Sequence, residues 1–98
     1  MNRTVSFHPL AEQELIEAAN YYDTASPGLG TAFLDAVERA VNQIREHPET
    51  APLVNRLVRR KLVRRFPYSV MYAIHADSIR ILAIANQKRR PFYWRGRK

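Results

Sequence analysis

The spacing of the apolar residues changes near the middle of the chain, and this change limits the folds that are open to it. In the first half, apolar side chains recur at three- and four-residue steps, as on one face of a helix. The clearest set comprises Leu29, Phe33, Ala36, Val37, Ala40, Val41 and Ile44. Pro48 and Pro52 prevent continuation, so the pattern predicts a helix over residues 29–46.

An earlier helix is predicted to begin at Pro9 and to end before Ser26-Pro27-Gly28. Proline is favoured in the first turn of a helix, and a Pro-Gly pair interrupts one. Because the break is short, the two helices are expected to form an antiparallel hairpin. A short strand is predicted at residues 3–7, where strand-forming residues alternate.

Beyond residue 57 the spacing becomes that of β-strands. Basic and apolar residues alternate over 57–66, strand-forming residues fill 68–74, and residues 79–85 are mostly apolar, as in a central strand covered on one face. The order β-α-α-β-β-β predicts an α+β fold, in which an antiparallel sheet carries the helical hairpin on one face. A length of 98 residues suits a single domain over 1–98.

Charge is divided between the two halves. Residues 1–50 carry three basic and eight acidic side chains, whereas residues 51–98 carry thirteen basic side chains and the single acid Asp77. The balances of −5 and +12 give the net charge of +7. This polarity predicts an anionic partner for the second half, either a nucleic acid or an acidic protein.

Several classes of site are not expected. The chain has no cysteine, and His8, His47 and His75 lack the spacing of metal ligands. We therefore expect no metal and no cofactor. No apolar run approaches the ~20 residues that span a bilayer, and the first residues lack the apolar stretch of a secretory signal. We expect a cytoplasmic protein with no membrane partner.

Two basic clusters are candidate binding surfaces. On a strand, Arg59, Lys61 and Arg65 would point one way and Arg60 and Arg64 the other, a density of cations suited to phosphate. The alternative is an edge strand that charge protects from aggregation.

The second cluster places Lys88, Arg89 and Arg90 beside Tyr93 and Trp94, where cations can hold phosphates and rings can stack on bases. Alternatively, Trp94 fixes the C-terminal segment to the core. The glutamates of the first helix, Glu12, Glu14 and Glu17, are interpreted as surface charge.

A series of short segments occurs in order along the chain. The N-terminal segments are FHPLAEQEL at 7–15, AANYY at 18–22 and GLG at 28–30 leading to Phe33. The C-terminal segments are RFPYSV at 65–70 with Tyr72, a turn around Asp77, ILAI at 81–84 and NQKRRPFYW at 86–94. This ordered series resembles the RelE/ParE superfamily, the small toxins of type II toxin–antitoxin (plasmid-stabilisation) systems. The resemblance covers nearly the whole chain and implies the same β-α-α-β-β-β fold.

The resemblance also implies partners. It implies a cognate antitoxin with an acidic C-terminal segment, joined to the toxin in a hetero-oligomer, and the basic half of this chain suits such a partner. The RelE-like branch cleaves mRNA on the ribosome with Lys, Arg and Tyr side chains and no metal. The ParE-like branch is not a nuclease and inhibits DNA gyrase.

The sequence departs from the pattern of the cleaving branch. Ser69 stands where that branch has an arginine, Leu62 and Arg60 replace two alternating lysines, and Asn86 replaces a frequent histidine. Gyrase inhibition without enzymatic activity is therefore the first interpretation.

The second interpretation is a ribosome-dependent endoribonuclease, whose catalytic residues would be Arg60, Arg64, Arg89 and Tyr93. A third is a non-toxic basic module that binds nucleic acid. The predicted contacts with the target or with nucleic acid are Arg59, Lys61, Arg65, Lys88, Arg90 and Trp94.

Overall fold

The computed structural model describes residues 3–98. Its elements are β1 (Thr4–Phe7), α1 (Pro9–Ala25), α2 (Leu29–Glu46), β2 (Val58–Leu62), β3 (Tyr68–Ile74) and β4 (Ser78–Asn86). The α+β class and the element order are confirmed, and both helices lie where the apolar spacing and the prolines place them.

The helical hairpin is closed by hydrogen bonds around its turn. At the start of α1, the Nδ1 of His8 accepts the N–H of Leu10 at 3.0 Å and so caps the helix. At the turn, the Asp23 carboxylate accepts the N–H groups of Gly28 at 3.1 Å and Gly30 at 2.9 Å. Gly28 adopts a φ of 90°, a left-handed conformation that glycine reaches without strain.

The sheet has the strand order β1-β4-β3-β2. The antiparallel meander of β2, β3 and β4 is confirmed. The predicted antiparallel sheet is wrong at one edge, because β1 pairs with β4 in parallel, from Thr4 opposite Ser78 to Phe7 opposite Ile81. Both helices and two strands lie between β1 and β4, a connection long enough for a parallel pair, and alternation alone does not encode strand direction.

Strand β2 ends at Leu62, four residues before its predicted end. The backbone then turns: Arg65 has a φ of 74°, and the N–H of Val63 donates to the carbonyl of Tyr68 at 2.9 Å. Pro67 has no N–H to give to a ladder. Arg64 and Arg65 therefore lie in a turn, where the alternation expected of a strand does not apply.

The sheet is covered on both faces. The inner face packs against the helices through buried residues that include Phe33, Ile44 and Tyr72. The outer face packs against the C-terminal segment of residues 87–98, here called the tail, through residues that include Met71 and Trp94. The prediction that β4 is covered on one face is therefore wrong.

A bulge in β4 supports this second layer. Tyr72 pairs with Ile81 and Met71 with Ala83, so Leu82 is an extra residue between them. Leu82, Ala83 and Ala85 all belong to the outer cluster. Among residues 3–98, no helix is long and apolar enough to cross a membrane.

The crossing of the two helices leaves no room for a side chain at Gly30, because a Cβ there would collide with the backbone oxygen of Ala19. We expect Gly30→Ala to lower the free energy of unfolding by about 1–3 kcal/mol, despite the better helix propensity of alanine. Urea denaturation measures this change, with the exposed neighbour Thr31→Ala as the control. Equal stability of the two variants would contradict the close crossing.

Candidate functional site

The tail folds as a series of tight turns. Backbone N–H groups donate to carbonyls three residues earlier, from Arg89 to Asn86, Tyr93 to Arg90, Arg95 to Phe92 and Arg97 to Trp94. Trp94 is only 5% exposed and belongs to the outer cluster. The ring therefore fixes the tail to the sheet, as the alternative interpretation of Trp94 expected, and little of it is open for stacking. Its contact with the target stays a prediction.

One carboxylate joins the tail to the first helix. Glu14 Oε2 accepts the hydroxyl of Tyr93 at 2.9 Å and Nη2 of Arg97 at 3.0 Å, while Oε1 accepts Nη1 of Arg97 at 3.0 Å. Oε1 also accepts the N–H of Ile84 at 3.1 Å, on the part of β4 that extends beyond β1. Within residues 3–98, Arg97–Glu14 is the one ion pair with nitrogen and oxygen inside 4.0 Å.

The sequence interpretation of Glu14 as surface charge is therefore wrong. Its side chain is 14% exposed, and its partners Tyr93 and Arg97 lie 79 and 83 residues away in the chain. No local spacing signals such contacts. The one signal in the sequence was the second half's excess of arginine, which supplies candidate partners for a carboxylate but does not identify one.

The environment of Tyr93 keeps its hydroxyl protonated. Burial raises the pKa of Tyr93 well above its ordinary value, and the hydrogen bond to Glu14 and the charge of Glu14 raise it further. Arg89 and Arg97 lower this pKa less, although the Arg89 guanidinium carbon lies only 3.9 Å from the ring centre. Tyr93 thus donates a hydrogen bond to Glu14 and keeps its proton at neutral pH.

A cleft on the outer face, here called the outer cleft, is lined by residues of the tail and of the sheet that carry hydrogen-bond donors. Its volume is about 310 Å³, and Arg60, Arg89, Arg90, Ser69 and Asn86 contribute to its wall. None of its lining residues is acidic. The arrangement offers guanidinium and amide donors to an anion, with Tyr93 at its boundary.

A second cleft lies at the edge of the sheet and is here called the edge cleft. Arg60, Lys61 and Arg64 line its volume of about 480 Å³ together with residues of α2 and of the loop after it. Arg60 borders both clefts. Of the four residues predicted for a nuclease, Arg60, Arg89 and Tyr93 share the outer cleft, and Arg64 lies apart from Arg89 and Tyr93.

The alternation predicted for β2 holds within the strand. Arg59 pairs with Tyr72 and Lys61 with Val70, both of the inner cluster, whereas Arg60 pairs with Met71 of the outer cluster. Arg65 is exposed in the turn after β2 and lines neither cleft.

Arg59 is engaged inside the protein. Its Nη1 donates to the carbonyl of Glu49 at 3.0 Å and to the carbonyl of Ala51 at 2.7 Å. The guanidinium therefore fixes the loop between α2 and β2. Its contact with the target stays a prediction.

A third cleft, here called the side cleft, separates α1 from the end of the sheet and has a volume of about 400 Å³. Lys88 and Arg89 line it opposite Glu17 and Tyr21. Arg89 lines both this cleft and the outer cleft. Of its two neighbours in the chain, Lys88 lines the side cleft and Arg90 lines the outer cleft. The tail cations thus face two surfaces rather than one.

No group of three metal-ligating His, Cys, Asp or Glu side chains occurs in the part of the chain that the structure describes.

The two neighbouring arginines of β2 should differ in what their removal costs. We expect Arg59→Ala to lower the free energy of unfolding by about 1–3 kcal/mol, because two carbonyl oxygens lose a charged donor. Arg60→Ala removes an exposed side chain and should change it by less than about 0.5 kcal/mol. Urea denaturation of both variants measures these changes. An Arg59→Ala protein as stable as the unaltered chain would contradict the structural role of Arg59.

The raised pKa of Tyr93 predicts a loss of stability at high pH. Above pH 10.0, the ordinary pKa of tyrosine, the unfolded chain releases the proton that the folded protein still holds. The free energy of unfolding is therefore unaffected by the titration of Tyr93 below that pH and decreases above it. Tyr93 accounts for a loss of at most about 1.4 kcal/mol per pH unit. Tyr22 and Tyr72 also have raised pKa values, so Tyr93→Phe should reduce the decline without abolishing it. Denaturation between pH 9 and about pH 11 measures the difference, and an identical decline in Tyr93→Phe would count against the assignment.

Comparison with known proteins adds the family context. A family model described as "ParE toxin of type II toxin-antitoxin system, parDE" matches residues 5–91. A solved structure entitled "Chromosomal ParDE TA system from P. aeruginosa" superposes with a TM-score of 0.76 over 86% of this chain and 95% of that chain, at 17% sequence identity. At that identity the likeness concerns the fold. No curated protein matches significantly.

Proposed function

The chain belongs to the ParE toxin family of type II toxin–antitoxin systems, and from this premise we propose that it inhibits DNA gyrase by binding, without covalent chemistry of its own. A cytoplasmic location follows from that target. The proposal has two parts that can be separated by experiment: the identity of the target, and the absence of a catalytic step.

The state of Tyr93 carries the second part. Cleavage of RNA through the ribose 2′-hydroxyl needs a group that removes its proton, and the ideal pKa of such a base lies near the working pH. In the outer cleft the tyrosine has a raised pKa and donates to Glu14. Asn86, which lines the same cleft, carries an amide that does not act as a base at neutral pH. The cleft thus holds anion-binding donors and lacks an evident base.

The cations that line the clefts are the proposed contacts with the target. On the tail they are Lys88, Arg89 and Arg90, and on the edge strand they are Arg60 and Lys61. These side chains make no ion pair within 4.0 Å in the described residues, so their charge is available to a partner. Arg65, exposed in the turn beside β3, is a further candidate contact.

We further propose a cognate antitoxin that carries an acidic C-terminal segment and forms a hetero-oligomer with this chain. The family supports the existence of such a partner. The balance of +12 over residues 51–98 supports its charge, because complementary potentials speed association and favour the correct partner.

One observation favours a second candidate, the ribosome-dependent endoribonuclease. Arg60, Arg89 and Tyr93 line one cleft, which is where bound RNA would meet donors for the charge on its phosphate. In that case Tyr93 would act by donating a hydrogen bond or a proton and not as a base. The non-toxic binding module receives no comparable support, since the family is one of toxins.

Synthesis rates after induction separate these candidates. When this chain alone is induced in growing bacteria, we expect DNA synthesis to stop within minutes while protein synthesis continues. Pulse-labelling of both polymers in the same culture makes the measurement. An earlier stop in protein synthesis would identify the ribosome as the target and overturn the gyrase proposal, and continued synthesis of both would overturn the toxin role.

Purified gyrase tests direct action and the proposed contacts. Arg89→Ala should weaken inhibition of supercoiling by about tenfold, the loss expected for one charged hydrogen-bonding group. Arg39→Ala is the matched control, because Arg39 is an exposed arginine on α2 that lines none of the three clefts. Equal inhibition of supercoiling by both variants would contradict the proposal that Arg89 of the tail contacts gyrase.

A further inference from the structure

Glu14 connects the helical hairpin with the cations of the tail. It lies on α1, yet its carboxylate receives the hydroxyl of Tyr93, both terminal nitrogens of Arg97 and the backbone N–H of Ile84. Arg97 also donates to the carbonyl of Leu82 at 3.0 Å, in the bulge of β4. Four donors thus converge on one carboxylate that is largely withdrawn from solvent.

We propose that Glu14 is a positioning residue for the target-binding arginines of the tail, Arg89 above all. The identity of the target in this proposal rests on the proposed function, but the positioning itself does not. Glu14 acts through Tyr93: it fixes the hydroxyl end of the ring, and the ring in turn carries Arg89 on its face.

The first step of the argument is the geometry of the ring. The Tyr93 hydroxyl lies 2.9 Å from Glu14 Oε2, and the guanidinium carbon of Arg89 lies 3.9 Å from the centre of the same ring. Contact between a cation and an aromatic ring depends on the cation lying over the face. Rotation about the Cα–Cβ bond of Tyr93 would carry the ring away from Arg89 and the hydroxyl away from Glu14, so the hydrogen bond opposes it.

The second step is the backbone. The N–H of Tyr93 donates to the carbonyl of Arg90 at 3.3 Å, and the N–H of Arg89 donates to the carbonyl of Asn86 at 3.0 Å. Tyr93 therefore belongs to the same short series of turns as both arginines, so a shift of Tyr93 moves the wall of the outer cleft.

The third step separates positioning from attachment of the tail. Trp94 is buried against the outer face, and the Lys98 carbonyl lies 3.4 Å from Nε and Nη2 of Arg80. These contacts remain when Glu14 is changed, so the tail stays on the sheet. The expected effect is local: loss of a fixed Tyr93 and a dispersed orientation of Arg89.

The test compares Glu14→Gln with Glu17→Gln. Glu17 lies on the same helix and lines the same side cleft, but its side-chain bond is to the exposed Gln13. Glutamine keeps the size of residue 14 and removes the charge that binds Arg97 and strengthens the Tyr93 bond. Tyr93→Phe is the second variant, because it keeps an aromatic ring at residue 93 and removes only the hydroxyl that Glu14 holds.

The direct readout is the side-chain NMR resonance of Arg89 in isotope-labelled protein. A guanidinium on the face of a ring is displaced upfield by the ring current, and this shift does not depend on any target. We expect Glu14→Gln and Tyr93→Phe to lose most of the upfield shift and Glu17→Gln to keep it. A full shift in Glu14→Gln would overturn the proposal.

Growth arrest after induction is the functional readout, taken at a temperature where denaturation curves show every variant folded. We expect Glu14→Gln and Tyr93→Phe each to need about tenfold more toxin for arrest, and the double variant to need no more than either alone. Unaltered arrest by Glu14→Gln, or additive losses in the double variant, would overturn the role of Glu14 through Tyr93. An unaltered chain that arrests growth without inhibiting purified gyrase would refute the proposed target and leave the positioning result standing.

Discussion

Strands β3 and β4 carry buried side chains on both of their faces, whereas the helical hairpin covers only one. Residues 3–98 form no third helix that could lie on the other face, and the tail covers it instead. Trp94 supplies the apolar contact and Glu14 the polar one, which brings residues from opposite ends of the chain together. The packing of the tail on the outer face thereby determines where the tail cations Lys88, Arg89 and Arg90 lie.

The tail combines side chains that stabilise the fold with the cations proposed to bind the target. In the tail, Trp94 and Arg97 turn toward the protein, while Arg89 and Arg90 remain exposed on the walls of clefts. Phe92, whose backbone is left-handed with a φ of 62°, lies between the exposed arginines and Trp94. Binding residues on a segment fixed at several points lose little conformational freedom when a partner arrives, which favours affinity.

The sequence predicts what depends on local chemistry and fails where distant residues decide. Proline positions and apolar spacing place both helices, and strand-forming residues place β3. The end of β2, the parallel pairing of β1 and the second layer of the core depend on the whole fold, and local pattern does not contain them. The candidate site shows the same division. The basic clusters are visible in the sequence, but Arg59 bonds to loop carbonyls and Glu14 to the tail, contacts that only the folded chain creates.

The scarcity of internal ion pairs has a thermodynamic consequence. Sixteen basic side chains and nine acidic ones are held in a small volume, and one pair among the described residues lies within 4.0 Å. The folded state is therefore opposed by repulsion among its own cations, which dissolved salt screens. An acidic partner that binds only the native chain removes the same repulsion and stabilises the fold by mass action. If the proposed antitoxin is that partner, the free chain is the less stable form, and the protein that neutralises it also protects it from unfolding.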